Sequence, residues 1–235
     1  MTHSLKPVRR EVSTARGPEP GAFSTVCVDD NHALLAETYR LRYQAYCVER
    51  TFLSASDYPD RLEFDEFDRY SRHFATLDSD GDVVGTIRLV SPSVLGLPLF
   101  LHCTLFPGET ALLDPRNSVA EISRLSVTRR HRPNGFQDNG ALFNLYRAVY
   151  HHAKRTSMTH WVIATEASLQ QRLASYGFPF VQIGPVVDYW GPVAPYLLDL
   201  SALDRILLAG TAPKLDGFLD GLDEGYRPKI VRLRG

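Results

Sequence analysis

Apolar residues recur along the chain with two different spacings, one typical of strands and one typical of helices. The two spacings follow each other in turn, which predicts alternating strands and helices. Short runs that are mainly apolar or alternate with polar residues predict strands, and these lie at 23–28, 73–77, 83–90, 120–127, 160–165, 180–183 and 194–200. Apolar residues three and four apart predict helices, and these lie at 31–49, from Asp138 to Ala153, at 167–176 and at 203–209. The resulting order of strands and helices predicts an α/β fold, with a mixed central β-sheet and helices on both faces.

Breaker residues divide the chain into one domain and two extensions. Residues 1–20 are polar and end in a Gly-Pro-Glu-Pro breaker, which is typical of a disordered or loosely attached arm. The regular elements of 21–200 form the domain, and 201–235 adds a helical extension and a tail. The connection 50–70 interleaves acidic and aromatic residues, so we expect it to pack onto the domain. The connection 91–117 is long enough to be a functional loop.

Charged residues interrupt the predicted strands that should be buried. Glu121 and Arg124 lie in the apolar run at 120–127, and Arg88 lies in the run at 83–90. Burial of a carboxylate or a guanidinium is costly unless the group is paired or has a chemical role. Glu121 and Arg124 are therefore either a structural ion pair in the core or part of an active site.

Charged residues of opposite sign lie upstream of the central strand. The predicted first helix presents Arg42 and Tyr46 on one face, and Asp65 and Asp68 lie in the acidic loop. Three arginines can then balance three carboxylates, and these six are Arg42, Arg88, Arg124, Asp65, Asp68 and Glu121. Such a network would hold the helix and the loop over the sheet as one wall of a pocket, or it would have that structural role alone.

Composition and charge narrow the classes of function. The 235 residues are 44% apolar and 23% charged, as in a globular protein. The net charge of −1 argues against a general nucleic-acid binder. No apolar run approaches the ~20 residues of a membrane span, and residues 1–20 lack the apolar segment of a secretory signal. Three widely spaced cysteines form no redox motif, so the expected location is the cytoplasm.

The element order and the charged residues resemble the GNAT superfamily of acyltransferases over about 33–200. The closer match is to the acyl-homoserine lactone synthases and the N-acyl amino acid synthases, and among these to the acyltransferases associated with the PEP-CTERM/exosortase system. Members carry an Arg and an aromatic residue on the first helix, a second aromatic residue, Asp-x-x-Asp, an Arg on the hairpin and Glu-x-x-Arg on the next strand. The corresponding residues are Arg42, Tyr46, Phe52 (where Trp is usual), Asp65, Asp68, Arg88, Glu121 and Arg124.

The resemblance implies an N-acyltransferase that moves a fatty acyl group from a thioester to the amine of an amino acid or a similar small amine. Glu121 and Arg124 are then the expected catalytic residues, with Glu121 removing a proton from the amine directly or through one water. No Ser-His-Asp or Cys-His set is evident, which favours direct attack by the amine. The residues expected to bind substrates are Arg42, Tyr46, Phe52, Asp65, Asp68, Arg88, Ser126 and Val127.

Two other functions stay open from the sequence. The first is an acyl-homoserine lactone synthase, with S-adenosylmethionine as the acceptor. The second is a non-catalytic GNAT-like module that binds an acyl group or a partner as a sensor. The arginines would suit a free carboxylate on the acceptor, unless the acidic residues neutralise them fully. The apolar residues of the long connection fit either an acyl pocket or the core, and these are Leu95, Leu97, Leu99, Phe100 and Leu101.

The predicted acyl donor is an acyl carrier protein, so the co-substrate is an acyl-phosphopantetheine thioester and no cofactor is bound permanently. In GNAT enzymes that use coenzyme A, Gln/Arg-x-x-Gly-x-Gly/Ala opens the helix after the central strand and cradles the pyrophosphate. The corresponding stretch is 137–142, in which Asp138 and Leu142 depart from the motif. A basic rim would attract an acidic carrier protein, although a solvated turn would look the same. The candidate residues are Arg129, Arg130, Arg132, Lys154 and Arg155.

No metal site or activated thiol is predicted. The histidines at 131, 151, 152 and 160 lack the spacing of metal ligands, and we interpret them as surface or packing residues. No histidine partner can be assigned to Cys47, which we interpret as a packed or exposed thiol.

Overall fold

The computed structural model describes residues 23–109, 118–132 and 140–229, which form an eight-stranded sheet flanked by helices. The strand order is β1-β2-β3-β4-β5-β8-β6, with β7 paired to β8 off this path. β4 and β5 are parallel, and the other described pairs are antiparallel. The strands are β1 (Ser24–Cys27), β2 (Ser71–Leu77), β3 (Val83–Val90), β4 (Val119–Val127), β5 (His160–Thr165), β6 (Val181–Gln182), β7 (Val187–Asp188) and β8 (Pro192–Asp199).

Helices cover both faces of this sheet, which confirms the predicted α/β fold with a mixed sheet. The α-helices are α1 (His32–Tyr43), α2 (Pro98–His102), α3 (Ala141–Arg155), α4 (Ala167–Tyr176) and α5 (Leu200–Ala209). α1 continues directly into a π-helical turn at Gln44–Glu49, so the predicted helix at 31–49 is real but changes its winding near its end. Short π-helical segments are frequent at functional sites.

Two apolar clusters lie on opposite faces of the sheet. Ile87 and Leu89 of β3 face α3 and belong to the larger cluster. Val90 faces the other way and packs with Leu97 and Leu99 of the long connection. This alternation along β3 is the two-residue period of a strand with both faces covered. Leu97 and Leu99 are fully or almost fully buried there, so the core interpretation of these two leucines is correct.

The C-terminal segment completes the larger cluster. Leu203 of α5 and the later residues Leu215, Phe218 and Leu222 are buried in it, against α3. The imidazole of His151 lies 2.9 Å from the backbone carbonyl oxygen of Phe218, which ties α3 to this segment. Residues 200–222 therefore contribute side chains to the core of the domain.

The ends of the helices add local detail to the predicted ranges. Asn31 caps α1 by accepting a hydrogen bond from the backbone N–H of Leu34. Asp138, where the helix that became α3 was expected to start, lies outside the described residues, and Gly140 occupies the cap position. The long connection contains the five-residue helix α2, which is too short to give a periodic signal. None of the described helices has the length and apolar character needed to cross a membrane.

Candidate active site

The parallel strands β4 and β5 part toward their carboxyl ends, and a cleft opens between them. They pair over Val119–Glu121 and His160–Val162, after which β4 runs on to Val127 and β5 to Thr165. The parted ends line a cavity of about 390 Å³. A cleft at the carboxyl ends of parallel strands is where α/β sheets generally bind ligands.

A β-bulge in β4 directs the side chain of Arg124. Arg88 lies opposite Ser123 and Thr86 lies opposite Ser126, so β4 has one extra residue between these two pairs. Arg124 has a φ of 51°, in the left-handed region that is uncommon for a residue with a side chain. Strict alternation from Ser123 would point Arg124 toward α3. The bulge instead points it toward the acidic loop, on the same face as Arg88.

Three arginines and three carboxylates of the acidic loop form one connected network, made of Arg42, Arg88, Arg124, Glu63, Asp65 and Asp68. Arg42 is completely buried and uses all three of its guanidinium nitrogens within it. Its Nε donates to Glu63 at 2.5 Å, and its two Nη atoms donate to Asp68 at 2.7 and 3.1 Å. Burial alone would raise the pKa of Asp68, but the charges of Arg42 and Arg88 and the hydrogen bond from His73 hold it well below its usual range.

Asp65 joins the other two arginines. One of its oxygens accepts a hydrogen bond from Nη1 of Arg88 at 2.6 Å, and the other accepts one from Nη2 of Arg124 at 2.9 Å. Nε of Arg124 also donates to Glu63 at 3.0 Å. The network thus connects α1, the acidic loop, β3 and β4, which are the elements that the sequence predicted to be held together.

The third carboxylate of the network is Glu63, and not Glu121 as expected. Glu63 is completely buried between Arg42 and Arg124. Burial alone would raise its pKa, but these two guanidinium groups lower it. The sequence placed Glu63 in the same acidic loop, and only the path of the loop shows that it reaches both arginines.

Glu121 lies apart from the ion pairs and is held by a backbone group. Its side chain is 3% exposed, and its Oε2 accepts a hydrogen bond from the backbone N–H of Leu99 at 2.7 Å. Burial raises the pKa of Glu121 to about 7, against the opposing effects of the Leu99 N–H and of the charges of Arg88 and Arg124. A carboxylate with this pKa can exchange a proton near neutral pH. Glu121 is among the residues that line the cavity.

Aromatic residues from two distant parts of the chain enclose Arg124. Its guanidinium lies 5.5 Å from the ring centroid of Tyr46 and 5.7 Å from that of Trp190. Tyr189 stacks on Trp190 and on His102, with centroids 4.4 and 4.1 Å apart. The sequence analysis missed Tyr189 and Trp190, which lie between β7 and β8. The signal that could have revealed them is the pair of aromatic residues directly before Gly191, a glycine at which the backbone turns.

Ion pairs lie along the open side of the cavity. Arg50 follows the π-helical turn and pairs with Glu166 at the start of α4, so this pair joins the two sides of the cleft. Arg132 pairs with Glu49 at 2.6 Å, and its Nε donates to the backbone carbonyl oxygen of Val127 at 2.7 Å. All of these side chains except Glu49 belong to residues that line the cavity.

The predicted site residues fall into two groups. Those that line the cavity are Tyr46, Phe52, Glu121, Arg124, Ser126, Val127 and Arg132. Those that support its wall from behind are Arg42, Asp65, Asp68 and Arg88. Phe52 packs near Tyr46, with ring centroids 6.4 Å apart, and Tyr46 donates a hydrogen bond to the carbonyl oxygen of Leu125 in the bulge.

The predicted basic rim is divided between two places. Arg129 and Arg130 are exposed beside Arg132. Lys154 and Arg155 lie in the last turn of α3, more than two turns beyond Tyr146, which lines the cavity. There they pair with Asp204 and Asp223 of the C-terminal segment. The two sets of basic side chains therefore do not form one continuous rim. Residues 137–139 of the coenzyme A motif lie outside the described residues.

The part of the chain that the structure describes contains neither a cluster of metal ligands nor an activated cysteine. No group of three or more His, Cys, Asp or Glu side chains there could hold a metal ion. Cys47 is buried in the π-helical turn, and burial raises its pKa above the ordinary thiol value. A buried thiol of this kind is unreactive.

Part of the chain matches a known protein family. Residues 41–138 match the family described as Acetyltransferase (GNAT) domain. This segment contains the π-helical turn, the acidic loop, β3 and β4, and therefore the whole arginine–carboxylate network and Glu121, whereas Glu166, Tyr189 and Trp190 lie outside it. No curated protein matches the sequence significantly.

Solved structures show the same fold. LasI, an AHL synthase, has a TM-score of 0.61 and 18% identity, over 81% of this chain and 96% of that chain. FeeM, an N-acyl amino acid synthase from uncultured soil microbes, has a TM-score of 0.55 and 17% identity, over 81% of this chain and 98% of that chain. BjaI, a CoA-dependent acyl-homoserine lactone synthase with bound SAM and isopentyl-CoA, has a TM-score of 0.58 and 22% identity, over 92% and 94%. Such similarity establishes the GNAT fold.

Proposed function

From the GNAT fold and the partial match to an acetyltransferase (GNAT) domain, we propose that the chain is an N-acyltransferase that transfers a fatty acyl group from an acyl carrier protein to the amine of an amino acid. The observation that carries this proposal is the buried carboxylate of Glu121 at the point where β4 and β5 part, beside the 390 Å³ cavity. The resemblance to acyltransferases of the PEP-CTERM/exosortase system stays a prediction, and we propose no role that depends on it.

Glu121 is proposed to be the general base. The α-amine of a free amino acid is mostly an ammonium ion at neutral pH, and the ammonium ion is not a nucleophile. Because its pKa is raised to about 7, the Glu121 carboxylate can accept that proton, directly or through one water. The neutral amine then attacks the thioester carbonyl and forms a tetrahedral intermediate. As the intermediate collapses, the C–S bond breaks, and the thiolate of the phosphopantetheine arm leaves and takes up the second proton of the amine. Arg124, beside the cavity, stabilises negative charge that develops during attack.

The acceptor is proposed to carry a carboxylate that extends past the cavity lining at Ser123 and reaches Arg88, which lies directly behind it and whose Nε donates to the Ser123 hydroxyl at 3.0 Å. Nη2 of Arg88 is buried and has no hydrogen-bond partner among the described residues. A buried guanidinium N–H without a partner is costly, and a substrate carboxylate would satisfy it. The charge of Arg88 lowers the pKa of both Glu121 and Tyr189, so the three groups lie near one another. An amino acid bound there would have its carboxylate at Arg88 and its amine toward Glu121.

A second acceptor, S-adenosylmethionine, has a specific observation in its favour. It also carries an α-amino acid group, and BjaI, a structural neighbour, was solved with SAM. Its sulfonium cation would favour aromatic faces such as those of Tyr189 and Trp190. The same site would then make an acyl-homoserine lactone. A non-catalytic acyl-binding module is the remaining alternative.

The donor is proposed to dock on the side of the cavity where Arg129 and Arg130 are exposed. The phosphopantetheine arm would enter the cleft and pair with the free edge of β4 near Ser126 and Val127, as an extended peptide pairs with a strand edge. Beyond Glu121, β4 has no pairing with β5, and the arm would share or replace the hydrogen bonds that Tyr46 and Arg132 donate to the carbonyl oxygens of Leu125 and Val127. Lys154 and Arg155 are left out of the proposed docking surface because of their position at the far end of α3.

One experiment separates these alternatives. The purified protein is incubated with acyl carrier protein thioesters or acyl-coenzyme A, together with either an amino acid mixture or S-adenosylmethionine, and the products are identified by mass spectrometry. The proposal expects N-acyl amino acids and a higher kcat/KM with the carrier protein. A lactone formed only from S-adenosylmethionine would overturn the acceptor, equal use of both donors would overturn the carrier protein, and no thioester consumption would indicate a binding module.

A further inference from the structure

His73 on β2 lies between two carboxylates that belong to different parts of the chain. Its Nδ1 is 2.7 Å from Oδ1 of Asp29, in the connection before α1, and its Nε2 is 2.8 Å from Oδ1 of Asp68, in the acidic loop. The side chain is only 3% exposed. The backbone N–H of His73 also donates to Asp29 at 3.1 Å, which fixes that carboxylate.

This geometry determines the protonation state of His73. An ionised carboxylate has no proton to donate, so each ring nitrogen needs its own N–H to make the observed hydrogen bonds. Asp29 and Asp68 both have lowered pKa values, although burial alone would raise both, because of the hydrogen bonds and charges around them. A neutral imidazole would leave one nitrogen lone pair facing a carboxylate in a buried site, which is unfavourable. His73 is therefore an imidazolium ion.

The positive charge of His73 completes the balance of the buried network. The mostly buried anions are Asp29, Glu63, Asp65 and Asp68, and the mostly buried cations are Arg42, Arg88, Arg124 and His73. Arg72, whose side chain is 52% exposed, also pairs with Asp29, at 3.3 Å. With a neutral group at position 73 these mostly buried groups would carry one surplus negative charge, which the solvent-screened charge of Arg72 offsets only in part. Because His73 and Arg88 are directly opposite each other on β2 and β3, that charge would act next to the unpartnered Nη2 of Arg88.

We propose that His73 is a positioning residue for the acceptor, since its charge offsets that of Asp29 and leaves the Arg88 guanidinium available to a substrate carboxylate. This inference rests on the proposed function, because it requires an acceptor with a carboxylate. His73 touches neither the acceptor nor the thioester. It acts through Asp68, which contacts Arg88 at 3.1 Å.

Groups from every packed element contribute to the state of His73. Asp29 and Asp68 favour the charged ring, and Arg42 of α1 opposes it. Arg72 of β2 pairs with Asp29 at 3.3 Å, and its side chain is half exposed. Tyr39 of α1 meets the ring edge to face, with centroids 5.7 Å apart. Burial alone would lower the pKa of His73, but the hydrogen bonds to Asp29 and Asp68 raise it above the ordinary value. The charge is therefore retained at pH values where a free histidine is neutral.

The inference is tested by changing charge and keeping size. In His73→Gln the amide nitrogen can replace the Nε2 donor to Asp68, but the positive charge is lost. We expect the Kd of the amino acid acceptor, measured by calorimetry, to rise about tenfold, which equals ~1.4 kcal/mol. Adding Asp29→Asn removes the surplus negative charge and should restore most of the affinity. The corresponding amino acid amide, which has no carboxylate, should bind both variants with similar affinity.

Two results would overturn the inference. One is a double variant that binds the acceptor no better than His73→Gln, because a purely structural role would make the two substitutions add. The other is a neutral ring in ¹⁵N spectra of histidine-labelled wild-type protein, recorded about one pH unit above the ordinary histidine value of about 6.5. Failure of the proposed function is distinguishable, since wild-type protein would then form no N-acyl amino acid while the ¹⁵N spectrum still reports on His73.

Discussion

The carboxylate of Glu121 accepts a hydrogen bond from the backbone N–H of Leu99 and pairs directly with none of the arginines that the structure describes, although three of them lie in the same region. The arginines are occupied by the acidic loop. Their charges act on Glu121 only from a distance, so burial dominates and raises its pKa to about 7. A direct ion pair would have lowered the pKa and removed the basicity that proton transfer requires. The network therefore keeps Glu121 both buried and reactive.

The first prediction concerns activity. Because Glu121 accepts a proton only when it is ionised, wild-type kcat should rise with pH and level off above about pH 7. Glu121→Gln keeps the hydrogen bond from Leu99 and should lower kcat by a factor of about 100 or more, in the range expected for general bases. The measurement is thioester consumption at saturating substrates over a range of pH. An unchanged rate in folded Glu121→Gln would remove Glu121 from the mechanism.

The second prediction is that the same substitution stabilises the protein. The folded-state pKa of Glu121 is raised from 4.5 to about 7, so ionisation opposes folding as the pH rises between these values. Above about pH 7 the penalty is complete and amounts to at most ~3 kcal/mol, and Glu121→Gln should recover part of it. Urea denaturation at acidic and at neutral pH checks this. A variant less stable than wild type at neutral pH would contradict the raised pKa.

The third prediction concerns Glu63, which no sequence pattern singled out. Glu63→Gln removes the negative charge between Arg42 and Arg124 and turns an amide NH2 group toward one of them, since a glutamine keeps only one acceptor oxygen. The free energy of unfolding should therefore fall by about 3–5 kcal/mol. Glu37→Gln is the matched control, because it breaks the exposed pair of Glu37 with Arg40. That control should cost less than about 1 kcal/mol. Equal losses in the two variants, measured by urea denaturation, would show that the network does not hold the acidic loop.

The fold followed from the sequence wherever one local signal dominated. The predicted bounds of β3, β5 and α4 are those observed, because periodicity and flanking breakers agree there, and Gly177 ends α4 with a φ of 103°. β7 and α2 were missed, because two or five residues are too few to show a period. Their positions depend on packing against other parts of the chain.

The site was predictable in its residue types but not in its pairing. Charges in apolar strands indicated Arg88, Glu121 and Arg124, because burial makes such residues conspicuous. The partners of these residues were not predictable, because the bulge turns Arg124 to another face and the path of the loop decides that Glu63 replaces Glu121. The aromatic wall at Tyr189 and Trp190 meets Arg124 across more than 60 positions of sequence. No local rule connects segments that far apart.

The fourth prediction concerns the docking of the carrier protein. Arg129→Glu together with Arg130→Glu should raise KM for the acyl carrier protein donor at low ionic strength, by about tenfold or more, and high salt should reduce the difference. The matched control is Arg155→Glu together with Arg205→Glu, which makes the same change of charge at other exposed positions. If the control raises KM as much, the effect reflects net charge and not a docking surface.

The fifth prediction concerns the pair of Arg50 and Glu166, which joins the two sides of the cleft at the cavity. Both side chains are partly exposed, at 47% and 34%, so the pair should contribute less than about 1 kcal/mol to the free energy of unfolding. We expect the pair to affect binding of the donor, because Glu166 and an acidic carrier protein would compete for the guanidinium of Arg50. Glu166→Gln should therefore lower KM for the carrier protein donor a few-fold, and Arg50→Gln should raise it.

An acyl-pantetheine thioester, which has no protein surface, is the control substrate and should respond to neither change. If both variants shift KM for the carrier protein in the same direction, the pair itself and not the charge of Arg50 controls access, and the competition is excluded.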